Sequence, residues 1–197
     1  MKGLLDHPRL YRLWQAPFAK QKLRPIGPLD PLRNAGRVLD VACGPGNHAH
    51  LFEPCSYTGI DTNPAYIKYA VDHHHGDFQV ADARTYAPSD GIAFDLVFAG
   101  SFLHHLDDAG AAQALGNLAN LTNPNGRLLL MDLVLPPKRS LARSLAQADR
   151  GDWPRSLNAW QQLCTQSYHI LRAEPYRLHL AGIPLWQMIF IEATPRS

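Results

Sequence analysis

Residues 38–47 read Val38-Leu39-Asp40-Val41-Ala42-Cys43-Gly44-Pro45-Gly46-Asn47. The stretch begins with a short apolar run that is typical of a buried strand, and its two glycines predict a tight turn that opens a helix. Glycine lets the backbone approach a ligand closely, and a helix start presents unpaired N–H groups. The segment therefore predicts a binding site for an anionic group. The spacing of Gly44, Gly46 and Ala49 also satisfies the loose dinucleotide pattern, which often arises by chance.

Apolar runs and helical patterns alternate along the chain. Strands are predicted at residues 37–41, 56–60, 78–81, 94–98 and 127–134, and helices at 64–71, 107–121 and 156–171. Two further runs, 176–180 and 186–193, are separated by too few residues for a crossover helix, so they predict a terminal antiparallel hairpin. This order predicts an α/β fold of three layers, with a mostly parallel sheet that ends in that hairpin.

Length and composition predict one domain. The chain has 197 residues, of which 46% are hydrophobic, and a formal net charge of +2. We expect a single unit over 1–197, with an N-terminal helical segment at 1–36, a cofactor-binding core at 37–134, and acceptor-side helices with the terminal hairpin at 135–197. Within the first segment, residues 8–23 carry apolar side chains at helical spacing.

The charge and the cysteine content of the chain predict its class of partner and its cellular compartment. A surplus of two positive charges is too small to neutralise a phosphate backbone, so nucleic acid is not expected as a partner. The three cysteines form neither a zinc pattern nor a secreted disulfide framework. No signal sequence or membrane span is recognisable. We expect a cytoplasmic protein without membrane partners, either a monomer or a homodimer.

Two further carboxylates follow predicted strands. Asp61 follows the strand at 56–60, and Asp82 follows the strand at 78–81. The carboxyl ends of parallel strands meet at one edge of an open sheet, so both should lie near the glycine turn. Asp61 can accept from both hydroxyls of a ribose, and Asp82 from an exocyclic amine. Their joint placement predicts an adenosine site, although either aspartate alone is typical of a helix cap or a turn.

These motifs, in this order, resemble the class I S-adenosylmethionine-dependent methyltransferases. The first motif spans residues 40–46 and has Ala42 where the family usually has a glycine, a departure that requires only that residue 42 not need a positive φ. Further landmarks are Gly59-Ile60-Asp61, Ala81-Asp82-Ala83, Phe94-Asp95-Leu96-Val97 and the run from Asn123 to Leu128, so the resemblance covers residues 37–134. It implies a Rossmann-like sheet of seven strands, with the seventh antiparallel beside the fifth, and S-adenosylmethionine as cofactor.

The resemblance also implies roles for individual residues. Gly44 and Gly46 would lie along the methionine moiety, Asp61 on the ribose and Thr62 beside the adenine. Asp82 and Ala83 would lie on the adenine edge. The complete set that we predict to bind the cofactor is Asp40, Ala42, Gly44, Gly46, Asp61, Thr62, Asp82, Ala83 and Gly100.

Two adjacent histidines, His104 and His105, follow the fourth strand in a run that resembles the Leu-His-His-Leu segment of the quinone-biosynthesis methyltransferases. Methyl transfer mainly requires alignment of the reactants and exclusion of water. A base helps when the acceptor still carries its proton, and histidine is suited to that role. We take both as candidate catalytic residues, with packing and helix capping as the alternative. The histidines at 73–75 do not predict a metal site, because neighbouring helical positions point apart.

The acceptor is expected to be a small molecule, preferably apolar or amphipathic. Its pocket should come from the parts outside the shared core, namely the N-terminal helix with Tyr11 and Trp14, and residues 150–160. Two alternatives stay open. A nicotinamide-dependent oxidoreductase shares the glycine turn and the acidic residue after the second strand, and a non-catalytic regulatory subunit could bind the same cofactor without turnover.

Overall fold

The computed structural model describes residues 16–27, 35–149 and 151–196. Seven strands form one sheet: β1 Arg37–Val41, β2 Ser56–Asp61, β3 Asp77–Val80, β4 Phe94–Gly100, β5 Thr122–Leu133, β6 Tyr168–Leu180 and β7 Ile183–Pro195. The α-helices are α1 Ala19–Leu23, α2 Pro64–His73, α3 Asp108–Leu121, α4 Leu141–Gln147 and α5 Leu157–Cys164. Short 3₁₀ turns lie at Ala16–Phe18, Arg24–Ile26, Ala49–Phe52 and Leu103–His105.

The strands are arranged in the order β3-β2-β1-β4-β5-β7-β6. Strands β1 to β5 pair in parallel. Strand β7 runs antiparallel to both β5 and β6, so it is inserted between them. The order reverses between β1 and β4, which makes the carboxyl ends of these strands the expected binding edge of the sheet. The prediction of a mostly parallel sheet with a C-terminal antiparallel hairpin is confirmed.

Two apolar cores cover the two faces of the sheet, which gives the three predicted layers. On one face Leu39 and Val97 pack with Leu115 of α3 and the fully buried Trp160 of α5. The other face is covered by α2 and α4, and its core contains the strand residues Val38, Phe98 and Met131 together with the helix residues Ile67 and Ala146. Alternate residues of one strand thus serve different layers, because successive side chains point to opposite faces.

Side-chain caps mark where the helices begin. Asn63 precedes α2 and accepts hydrogen bonds from the backbone N–H groups of Ala65 and Tyr66, and Pro64 occupies the first helical position. Asp107 caps α3 in the same way through the N–H of Gly110, at 2.7 Å. These caps place the start of each helix at the carboxyl edge of the strand before it.

Several predicted boundaries were wrong. The helix predicted at 156–171 ends at Cys164, because the chain turns at 165–167 and the fully buried Tyr168 starts β6. The hairpin strands are correspondingly longer than predicted, and Gly182 lies in the turn between them with φ +80°.

The N-terminal helix predicted over residues 8–23 is described only in its last part. That part consists of the 3₁₀ turn and α1, and it buries Phe18 against the core beneath α2 and α4. Tyr11 and Trp14 lie outside the described residues. Within the described ranges, no helix has the length and apolar character needed to cross a membrane.

Candidate functional site

A cavity of about 660 Å³ opens at the carboxyl edge of the sheet. It is bordered by the turn after β1, the ends of β2 and β4, and the loops that follow β3 and β4. The structure brings eight of the eleven predicted site residues to its wall: Ala42, Gly44, Asp61, Thr62, Asp82, Ala83, Gly100 and His105. The other three, Asp40, Gly46 and His104, are not part of the cavity lining.

The turn after β1 has a left-handed backbone at three positions. Gly44 and Gly46 have φ values of +57° and +79°, and Ala42 has φ +55°. The expectation that residue 42 avoids a positive φ was wrong, so an alanine is held in a conformation that favours glycine. A Cβ at Gly46 would lie 2.7 Å from His74 Cδ2, so this glycine lets the turn pack against the end of α2 rather than lining the cavity.

Asp61 joins the end of β2 to the glycine turn. Its Oδ2 accepts from the N–H of Gly44 at 2.9 Å, and its Oδ1 accepts from the N–H of Asn63 at 2.8 Å. Burial raises the pKa of Asp61, and hydrogen bonds from backbone N–H groups partly offset this rise. The carboxylate therefore holds the cavity wall in shape and also faces the cavity.

Asp82 and Ala83 form the wall next to β3. The Asp82 carboxylate accepts from the guanidinium of Arg84, including Nε at 3.0 Å from both oxygens. This bonding holds the pKa of Asp82 below its ordinary value. Asn117 of α3 donates to the carbonyl oxygen of Ala83 at 2.9 Å, which fixes the loop on the helix.

Asp40 lies beneath the cavity and not at its surface. It is 1% exposed, and its Oδ2 accepts from the Tyr57 hydroxyl at 2.7 Å. Burial raises the pKa of Asp40 to about 7, although the bond from Tyr57 works in the opposite direction. The structure gives this residue a packing position below the glycine turn, which differs from the direct contact that the sequence motif suggested.

The two predicted histidines occupy different environments. His105 is exposed and lines the cavity. His104 is 4% exposed and lies between two carboxylates, with Nδ1 2.6 Å from Asp132 Oδ1 and Nε2 3.0 Å from Asp149 Oδ2. Burial alone lowers the pKa of His104, but the charges and hydrogen bonds of both aspartates outweigh burial and raise it to about 9. His104 is therefore a buried cation held between two carboxylates, and it is not part of the cavity lining.

Arg155 holds the turn that carries both histidines. Its guanidinium donates to the carbonyl oxygen of Leu103 at 2.9 Å and of Leu106 at 2.7 Å, and to Asp108 at 2.8 Å. Although it is charged, Arg155 is only 5% exposed, so these bonds lie in the interior of the protein. The segment after residue 150 thus supports the cavity-lining turn from behind.

Sequence reasoning missed several residues around this edge. Asp132 is the only charged residue in the apolar run 128–134, and that isolated carboxylate was a usable signal. Lys22, Ser101 and Asp149 carried no such signal, because only the fold brings them together. Among residues proposed for the acceptor pocket, Trp160 is fully buried and donates to the carbonyl oxygen of Leu133 at 2.8 Å, so it belongs to the core.

Comparisons with known proteins agree with this geometry. Residues 38–126 match the family described as "Methyltransferase domain". The chain is 35% identical over 151 residues to a trans-aconitate 2-methyltransferase of Shigella dysenteriae, covering 70% of this chain and 58% of that protein. A protein of the same name from Escherichia coli gives the same identity and coverage. The chain thus spans less than two thirds of the length of these relatives.

Solved structures show the same fold at low identity. The PH0226 protein from Pyrococcus horikoshii superposes with a TM-score of 0.71 at 18% identity, covering 89% of each chain. The N-methyltransferase NodS from Bradyrhizobium japonicum, in complex with S-adenosyl-L-homocysteine, superposes with a TM-score of 0.69 at 16% identity, covering 91% of this chain and 87% of that one.

The strand order, the inserted antiparallel β7 and the cavity at the carboxyl edge define a Rossmann-like methyltransferase fold. Together with the family match over residues 38–126 and the relatives, they show that the chain contains a class I S-adenosylmethionine-dependent methyltransferase domain. The resemblance derived from the motifs is confirmed.

Proposed function

We propose that the chain transfers a methyl group from S-adenosylmethionine to a small organic acceptor. The observation that carries this proposal is the single cavity wall formed by the glycine turn, Asp61, Asp82 and the end of β4. The glycine turn, Asp61 and Asp82 were each predicted from the sequence for one part of the cofactor, and Gly100 at the end of β4 was predicted as a further cofactor-binding residue. Trans-aconitate 2-methyltransferases, 35% identical over 151 residues, support a small-molecule acceptor.

The residues at the cavity fit the adenosyl part of the cofactor. The Asp61 carboxylate accepts bonds from the backbone N–H groups of Gly44, Asn63 and Thr62, and its remaining lone-pair capacity can accept from a ribose hydroxyl. Gly44 permits close approach of a ligand to the turn, and Thr62, Asp82 and Ala83 line the adjoining wall. When bound, the cofactor supplies a methyl group already activated by its positively charged sulfur. The protein therefore has to bind the cofactor and the acceptor, orient them towards each other, and exclude water from the site.

His105 is the histidine placed to contact an acceptor. Its side chain lines the cavity, and its ring lies against His104, with the ring centroids 4.2 Å apart. Should the acceptor keep its proton, His105 can take it, because neutral imidazole is a base near neutral pH. His104 cannot serve this role from its position between Asp132 and Asp149. We therefore propose that His105 contacts the acceptor and that His104 stabilises the turn that carries His105.

The remaining expectations belong to the same proposal. We infer one methyltransferase domain over 1–197 that works in the cytoplasm as a monomer or homodimer, without nucleic acid as a partner. The modest net charge of +2 supports the absence of nucleic acid, and the free cysteines support a reducing compartment. Size-exclusion chromatography with light scattering measures the oligomeric state.

Calorimetric titration tests the function. S-adenosylhomocysteine should bind with a one-to-one stoichiometry, and NAD should produce no saturable heat. Tight NAD binding without a response to S-adenosylhomocysteine would favour the oxidoreductase alternative. Binding of the sulfur compound without methyl transfer to any member of an acceptor panel would favour a regulatory subunit. In the cavity itself, His105→Gln should lower turnover while leaving the affinity for S-adenosylhomocysteine within about twofold, because its role is on the acceptor side.

A further inference from the structure

Lys22 is a cation whose position the cofactor site does not explain. It projects from α1 towards the end of β4, and its Nζ lies 3.3 Å from the hydroxyl oxygen of Ser101. Ser101 lines the cavity directly after Gly100. The ammonium group therefore stands beside the part of the cavity wall that adjoins His105, on the side assigned to the acceptor.

The backbone around Lys22 is fastened to the sheet. The Tyr176 hydroxyl of β6 donates to the carbonyl oxygen of Lys22 at 3.1 Å. Next to it, the Gln21 amide exchanges two hydrogen bonds with the backbone of His179, at 2.9 Å and 2.8 Å. An exposed lysine on a free helix would sample many positions, whereas these bonds hold α1 at one place on β6.

Burial works against the charge that Lys22 carries. Burial of the side chain lowers the pKa of Lys22 to about 8, and the nearby carboxylates of Asp132 and Asp149 offset only part of this effect. Both aspartates are bonded to the His104 imidazolium. The two cations and two anions of this cluster balance, so a further anion approaching Lys22 meets no net negative charge.

Ser101 gives a second, independent sign of a functional position. Its φ is +57°, a left-handed conformation that is costly for a residue with a Cβ. The backbone N–H of Ser101 donates to the carbonyl oxygen of Met131 at 2.7 Å, which keeps the residue in this conformation. This backbone conformation places the Ser101 hydroxyl next to the Lys22 ammonium group at the cavity wall.

We propose that Lys22 and the Ser101 hydroxyl bind a carboxylate of the acceptor, which is therefore a small organic acid. This inference rests on the proposed function and names the class of substrate for that site. It replaces the apolar or amphipathic acceptor favoured from the sequence. An ammonium and a hydroxyl together offer a charge-assisted hydrogen bond and a neutral one, which is a common way to bind a carboxylate.

Calorimetry on protein saturated with S-adenosylhomocysteine tests the proposal. The probes are trans-aconitate, citrate and a set of mono- and dicarboxylic acids. The wild type should bind at least one of them, Lys22→Met should weaken that binding at least tenfold, and Lys22→Arg should weaken it less than fivefold. Lys20→Met is the matched control, because Lys20 is exposed on the same helix, and it should bind as the wild type does.

Thermal unfolding separates binding from a structural role. Because burial opposes the charge, Lys22→Met should raise Tm by a few degrees while it loses the carboxylate ligand. A lower Tm with unchanged carboxylate affinity would assign Lys22 to the ion cluster alone and overturn the proposal. So would failure of every acid to bind a wild-type protein that binds S-adenosylhomocysteine. Failure of S-adenosylhomocysteine itself to bind would instead remove the proposed function.

Discussion

Raising the pH from 6 to 9 should remove the stabilisation that His104 gives the fold. The imidazole lies with Nδ1 2.6 Å from Asp132 and Nε2 3.0 Å from Asp149. Burial by itself lowers the pKa of His104, but the two carboxylates outweigh it and raise the pKa to about 9. In the unfolded chain the ordinary value is about 6.5. The folded protein thus holds the proton more tightly than the unfolded chain does.

The size of the effect follows from linkage between protonation and folding. A group with a raised pKa in the folded state contributes stability that is fully present below its unfolded pKa and lost as the pH rises through its folded pKa. For His104, this contribution is about 3 kcal/mol at pH 6, falls to roughly half of that at pH 8, and is small at pH 9. The loss takes place over a pH range in which ordinary surface histidines have already lost their protons.

Urea unfolding of the wild type and His104→Gln at pH 6, 7, 8 and 9 measures this contribution. The difference in the free energy of unfolding between the two proteins should shrink by about 3 kcal/mol from pH 6 to pH 9. Comparison at each pH is needed because Lys22, whose pKa is lowered to about 8, changes stability in the opposite direction above that pH. His105→Gln, at the exposed neighbour, should keep the wild-type pH dependence. Parallel curves for the wild type and His104→Gln would refute the reasoning.

Three further substitutions test the site and its support. Asp61→Ala should weaken S-adenosylhomocysteine binding by about 1.5–3 kcal/mol in calorimetry, and an unchanged Kd would remove the ribose role. Asp40→Asn should leave the Kd for S-adenosylhomocysteine within about twofold, and it should raise Tm at pH 8 because it removes a buried charge beside Tyr57. A large loss of affinity would instead show that Asp40 contacts the cofactor directly. Gly151→Ala should cost about 3 kcal/mol in urea unfolding, because its Cβ would lie 2.0 Å from His104 Cδ2, and wild-type stability would contradict this packing.

Much of the architecture was accessible from local patterns. The strand from Arg37 to Val41 and the helix that begins at Pro64 were predicted from neighbouring residues alone, and both are confirmed. The helix after Ser156 was overextended, because the apolar spacing continues into Tyr168 while pairing with β7 draws those residues into a strand. Tertiary pairing overrides a helical pattern when the strand buries more surface, and local spacing does not contain that information.

The cavity was predictable where its residues follow strands. Asp61 ends β2, Gly44 and Asp82 lie in the turns that follow β1 and β3, and parallel strands bring such positions to one edge. The direction in which each of these side chains points, and the residues it contacts, could not be predicted from the sequence. The Asp40 side chain points to Tyr57 and not into the cavity. Side chains alternate between the two faces along β1, and the Tyr57 hydroxyl offers Asp40 a hydrogen bond on the face that it occupies.

The sequence alone determined the class of protein, because a glycine turn and acidic residues at successive strand ends can be recognised from spacing along the chain. Only the tertiary structure decided that His105 faces the cavity while His104 is a buried cation. It also decided that Lys22 reaches Ser101 from 79 positions away in the chain. The physical reason is that burial and charge pairing depend on which distant residues meet, as Asp132 and Asp149 meet around His104.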